Sequence, residues 1–180
     1  MITANSNSNS AKARGFSLIE LLIVVAIILI IAAIAIPNII KAKIAANEAS
    51  AASTIRTITS AAVIYSTTWS DGLPPNLGVL GGAGILASCD FADLLDPTIT
   101  NAPNTKSGYK YAYTGLGPTV VTAPGCTNPG FNEYLVTATP VSFGLSGTRS
   151  FCSDEPGVIH FDVTGATAGS PAACVALPTL

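Results

Sequence analysis

The run Phe16 to Ile36 is twenty-one residues long, and Glu20 is the single charged residue in it. Gly15 precedes the run and Pro37 closes it. A helix of that length spans roughly 30 Å, the thickness of a bilayer's hydrocarbon, so the run is predicted to cross a membrane. A carboxylate there costs about 2.5 to 3.5 kcal/mol near a helix centre, and fifteen Leu, Ile, Val and Phe residues each return about 0.3 to 0.6. The segment therefore still inserts. Glu20 lies near one end of the run, which lowers its cost further. A charge kept in a membrane-length run is expected where something uses it. The plain alternative is an acid that snorkels to the headgroups or complements the helix dipole.

The other charges set an orientation and exclude some functions. Lys12 and Arg14 precede the run with no acid beside them, which by the positive-inside rule leaves the N-terminus in the cytoplasm and everything after Pro37 outside. Beyond residue 15 there are six basic and ten acidic residues, and Lys41, Lys43, Arg56, Lys106, Lys110 and Arg149 are scattered. No nucleic-acid partner is expected from such a distribution. The four cysteines, Cys89, Cys126, Cys152 and Cys174, all lie on the outer side, where disulfides persist. They permit three connectivities. Cys152 with Cys174, closing a C-terminal loop, and Cys89 with Cys126 are favoured.

Ala33-Ile34-Ala35 matches an A-x-A signal-peptidase site, but the run is long for a signal peptide, Glu20 interrupts it and Pro37 sits just past the cut. A simple membrane anchor leaves Glu20 and the Gly15-Phe16 junction without a role.

The string Gly15-Phe16-Ser17-Leu18-Ile19-Glu20, an unbroken apolar run and then Pro37, resembles the cleavage and methylation motif of type IV pilins and type II secretion pseudopilins. The resemblance is specific over about residues 12 to 40 and beyond that is one of layout. It implies that a prepilin peptidase cuts after Gly15 and methylates the new amine of Phe16. Glu20 then becomes the fifth mature residue and Pro37 the twenty-second. The cut creates a cationic amine that Glu20 of a neighbouring subunit can pair with, relieving the cost of burying either charge alone and selecting axial register. Subunit assembly is thereby assigned to Phe16 and Glu20.

Residues 16 to about 68 are predicted to form one helix of roughly 80 Å, since no glycine occurs before Gly72 and Pro37 is the only proline before Pro74. Pro37 is expected to kink it. Ile44, Ala51, Ile55, Ile58, Ala62, Tyr65 and Trp69 recur at helical spacing, with Lys43, Asn47, Ser50 and Thr57 off that stripe. A short helix is expected over Ser88 to Leu95, capped by Ser88 and stopped by Pro97. Strands are expected at Tyr109 to Thr114, Tyr134 to Thr139, Thr148 to Cys152 and Val158 to Val163. Tyr109, Tyr111 and Tyr113 alternate and should face the long helix. The fold class is α+β, an antiparallel sheet of three to four strands with the long helix across one face.

Chemistry in the head finds little support. Gly78 to Gly84 lacks the Lys-Ser/Thr of a P-loop and is read as a surface connection. His160, Asp162 and Ser153 could be imagined as a triad, but no nucleophile elbow marks the serine. Asp154, Glu155 and Asp162 are the candidates for calcium, with too few oxygen ligands at regular spacing for a dedicated loop. No catalytic residue, cofactor or metal is assigned.

The expected organisation is a cleaved leader 1–15, a transmembrane and filament-core half 16–36, an amphipathic half 37–70 and a head 71–180. The expected function is a filament subunit, not an enzyme. Its partners are copies of itself, prepilin peptidase, the inner-membrane assembly machinery and, before assembly, the membrane. It begins in the inner membrane with its head periplasmic and ends in an extracellular pilus or a periplasmic pseudopilus. The alternatives are a secretion pseudopilin and a membrane-anchored periplasmic protein that does not polymerise.

Overall fold

The computed structural model describes residues 15–69, 72–82, 86–117, 124–155 and 157–180. Residues 1–14 of the expected leader, Asp71 and parts of the connections read as 78–84 and 115–129 lie outside them. The chain divides into two compact units, one ending at Ile39 and the other Ile40–Leu180.

Helix α1, Leu18–Trp69, contributes to both. Its threonines are accommodated by turning their hydroxyls back on the helix: Thr57, Thr59, Thr67 and Thr68 donate to the carbonyls of Ser53, Ile55, Val63 and Ile64. Pro37 lies inside α1, where it cannot donate to the preceding turn.

The second unit is an antiparallel meander. Strands β1 Thr105–Lys106, β2 Tyr109–Leu116, β3 Glu133–Pro140, β4 Ser150–Asp154 and β5 Ile159–Asp162 form one five-stranded sheet in the order 1-2-3-4-5. The fold class is α+β, with one more strand than the upper expectation. The added strand, β1, is only two residues long and carries no alternation to read.

Period-two geometry sorts the sheet's side chains to opposite faces. Tyr109, Tyr111 and Tyr113 are buried while Lys110, Ala112 and Thr114 are exposed. The tyrosines join Val136, Ala138, Phe151 and Ile159 in one core with Ala51, Ala52, Ile55, Ile58, Ala61, Ala62 and Tyr65 of α1. Tyr113 stacks on Tyr134 with ring centroids 5.2 Å apart. The other face buries Leu135 and Cys152 against Cys174 of the short helix α3, Pro171–Val175, with Leu116, Ala168 and Leu177 around them. The Cys152–Cys174 disulfide thus fastens α3 to β4, and Cys89–Cys126 fastens the segment after α1 to the β2–β3 connection. Beside the latter, Asp90 accepts from the backbone of Thr127 and Asn128.

Two local expectations are corrected. Residues 88–95 are not helical: Ser88 and Phe91 exchange backbone hydrogen bonds, Asp93 adopts φ 52°, and the amides of Ala92, Leu94 and Leu95 donate to Val79 and Leu80. Pro97 opens a helix, α2 Pro97–Thr100, with Asp96 accepting from Thr98 N at 2.7 Å. The described part of the glycine-rich segment is also more than a surface connection. Leu77, Val79 and Leu80 are buried, and a Cβ on Gly81 or Gly82 would collide with Thr100 or Asp93. These glycines allow close packing.

The stripe on α1 contains an acid that the apolar pattern hides. Glu48 is 5% exposed, in line with Ala51, Ala52 and Ile55. Its carboxylate accepts from Thr148 N at 2.9 Å, Thr148 Oγ1 at 2.8 Å and Arg149 Nε at 2.8 Å, and pairs with Arg149 Nη2 at 2.7 Å. Arg149 in turn lies over the rings of Phe151 and Phe161. The cluster ties α1 to the entry of β4. Burial raises the Glu48 pKa, and the hydrogen bonds from Thr148 and Arg149 outweigh it, holding the group below its ordinary value of 4.5.

Glu48→Ala should cost about 1.5 to 3 kcal/mol, at the low end because Arg149 is partly solvated, read as a fall in thermal midpoint. Because the folded-state pKa is depressed, the stability it contributes is present above pH 4.5 and is lost as pH falls through the lower folded value. Glu48→Gln should flatten that part of the profile. The tyrosines give a second contrast. Tyr109 Oη donates to Arg149 O at 2.7 Å, while Tyr113 Oη is buried without a partner. Tyr109→Phe should destabilise by about 1 kcal/mol and Tyr113→Phe should be neutral or stabilising, measured by denaturant unfolding.

Candidate functional site

The first unit presents apolar surface that the described residues do not bury. Between Leu18 and Ile36 every Leu, Ile and Val is exposed, including Leu18 at 81% and Ile34 at 66%. α1 contains a segment long and apolar enough to cross a membrane. Such a surface is stable in lipid or against other apolar helices, and not in water.

The residues at the head of this segment form a small site. Phe16 and Ser17 lie before the first helical residue, Leu18, so the first amides of α1 lack intrahelical acceptors. Glu20 reaches back one turn, and its Oε2 accepts from Ser17 N at 2.9 Å. Ser17-x-x-Glu20 thus has the spacing of a capping box, with the acid supplying the return bond. The contact holds the carboxylate at the positive end of the helix dipole. Its second oxygen retains acceptor capacity, because an ionised carboxylate takes several donors. Glu20 and Ser17 are therefore brought together, with Phe16 next to Ser17 in the chain, while Pro37 lies more than four turns along α1.

Gly15 has a different kind of openness. A Cβ built on it meets no atom within 4 Å. Among the described residues nothing requires glycine there for packing. Phe16 beside it is 81% exposed.

The head does not assemble the imagined chemistry. Cross-strand partners share a face, so Ser153, opposite Val136 and Ile159, faces α1, while His160, opposite Cys152, faces α3. The sheet separates the serine from the histidine. The ring Nδ1 of His160 lies 2.7 Å from Leu177 O, and Asp162 accepts from Thr164 N and Oγ1. Of the calcium candidates, Asp154 and Glu155 share a cleft with Glu133, Tyr134 and Pro171. Asp162 sits at the opposite end of the β4–β5 ladder, where it pairs with Ser150. Among the described residues no three His, Cys, Asp or Glu are placed to hold a metal ion. Glu48 and Arg149, which sequence reasoning passed over, are structural. An acid within an apolar stripe was the available signal.

Comparison with known proteins places its weight on the N-terminus. Residues 10–36 match the family model described as the prokaryotic N-terminal methylation motif. The type IV wide pilus major component PilA4 of Thermus thermophilus is 61% identical over 37 residues, which is 21% of this chain and 28% of that protein. The chain thus matches little more than a quarter of its relative's length. No solved structure matches the chain. The N-terminal segment is of the prepilin type, and the α+β head follows it in the order seen in the sequence.

Proposed function

We propose that this prepilin-type chain is the structural subunit of a type IV pilus-like filament. The observation that carries the proposal is the exposed apolar half of α1 headed by Gly15, Phe16 and a capped Glu20. The precursor is held in the inner membrane by Phe16 to Ile36 with the head on the periplasmic side. Prepilin peptidase cuts after Gly15 and methylates the new amine of Phe16. The inner-membrane assembly machinery then draws the segment out of lipid into a bundle of identical segments. That transfer changes its surroundings little, because lipid tails and apolar side chains are alike as solvents.

Glu20 has two tasks in this account. In each chain it completes the first turn of α1 through Ser17. In the filament its free acceptor capacity takes the methylated amine of a neighbour, so neither charge is buried alone. A helix one turn out of register leaves both charges unpaired, which makes the pair a register device. Pro37, which removes one backbone hydrogen bond, serves to loosen the helix where it leaves the apolar core.

The role is structural, not enzymatic, and no cofactor is required. Two disulfides closing the head favour a durable surface fibre over a periplasmic pseudopilus, since each bridge contributes about 2 to 4 kcal/mol.

Glu20→Ala should insert in the membrane and lose its leader at the normal rate, yet be absent from sheared filaments, with the processed chain accumulating in membranes. Glu20→Ala filaments at the unsubstituted yield would refute the pairing role.

A further inference from the structure

One end of the second unit carries apolar side chains that the described residues leave open. The β3–β4 connection presents Val141, Phe143 and Leu145, which are 63%, 58% and 66% exposed, and the turn after β5 adds Val163 at 64%. These are not the tips of a loose loop. Ser146 Oγ accepts from Ser142 N and donates to Ser142 O, both at 3.0 Å, and Asn47 Nδ2 of α1 donates to Ser146 O at 2.8 Å. Val141 N bonds to Gly108 O at 2.9 Å and Gly144 N to Gly147 O at 2.8 Å. Phe143 lies over Gly165, where a Cβ would strike its ring, so the two turns form one surface.

The rim of that surface is basic. Lys43 of α1 lines a cleft with Leu145 and Ser142, and Lys106 of β1 lines the adjoining cleft with Val141. Neither cleft is lined by an acid. Asp162 is engaged by Thr164, and Asp96, which feels the charge of Lys106, caps α2.

We propose that this end of the head is a lipid-docking surface. Val141, Phe143, Leu145 and Val163 enter the headgroup boundary of an anionic bilayer, and Lys43 and Lys106 meet its phosphates. Rigid apolar tips ringed by lysine are the composition of a surface that lies on a membrane. The proposal rests on the reading that Phe16 to Ile36 spans the membrane before assembly. Under that reading docking is almost intramolecular: the seven residues from Ile36 to Lys43 reach at most about 25 Å even when fully extended. The bilayer is thus held at high effective concentration. A second copy of the chain is the less suited occupant, since the acids that flank this surface, Asp96 and Asp162, are already engaged by Thr98 and Thr164. Docking would keep the head on the bilayer until extraction, so that it leaves the lipid together with the helix.

The test uses the full chain in vesicles of phosphatidylcholine and phosphatidylglycerol, with Phe143→Trp read against the background of Trp69. Brominated acyl chains should quench the added tryptophan by about twofold, as for a side chain at the headgroup boundary. Pure phosphatidylcholine should weaken the quenching, and so should Lys43→Gln with Lys106→Gln, by about fivefold in docking per lysine removed. A chain that floats with the vesicles but whose added tryptophan is unquenched overturns docking and leaves the membrane-spanning reading standing. Emission that changes with protein density in the bilayer and not with brominated lipid overturns it in favour of contact between copies. A chain that does not float with the vesicles contradicts both.

Discussion

The apolar surface of residues 18–36 has no partner among the described residues, and the other features of the molecule take their meaning from that. A globular protein buries such side chains, and this one leaves them outermost. Lipid and a bundle of like helices are the two environments that accept them, and they differ little for an aliphatic side chain. A segment at home in both can be moved from one to the other at low cost. In the proposed filament Glu20 supplies what the aliphatic side chains lack, a preference for one axial arrangement. Its contact with Ser17 shows how the charge is tolerated before any partner arrives, through the unpaired amides at the start of α1.

The second unit is held by a different balance. One face of the sheet packs on α1 through tyrosines and small residues, and the other is closed by α3 and a disulfide. Alanines at 51, 52, 61 and 62 bring the helix close enough for the tyrosine rings to fill the space between. The Glu48 cluster fixes α1 against the start of β4 where the stripe alone would permit sliding, because a buried carboxylate must keep its donors. The two disulfides tie down the long connections, where short apolar runs would bury too little surface to order the chain.

Much of this was legible in the letters. The absence of glycine over fifty residues, with Pro37 the only proline among them, marked α1, and alternation in Tyr109-Lys110-Tyr111-Ala112-Tyr113 marked both β2 and its buried face. The prepilin-type motif was legible because its residue types are unusual in that setting, a glycine before a membrane-length run and an acid inside it. What failed were features decided by long-range bonding. Residues 88–95 carry a helix-like pattern, yet their amides are taken by Val79 and Leu80, and Asp96 rather than Ser88 acts as a cap. Glu48 went unread because its partners lie a hundred residues away. Of the three cysteine connectivities the letters permit, the favoured one, Cys152 with Cys174 and Cys89 with Cys126, is the one formed.

Mass spectrometry of filaments sheared from the cell surface tests the central claim most directly. The account predicts that the dominant chain begins at Phe16 with a methylated amine and retains both disulfides. A chain found only in membranes, with residues 1–15 still attached, would contradict cleavage and assembly together.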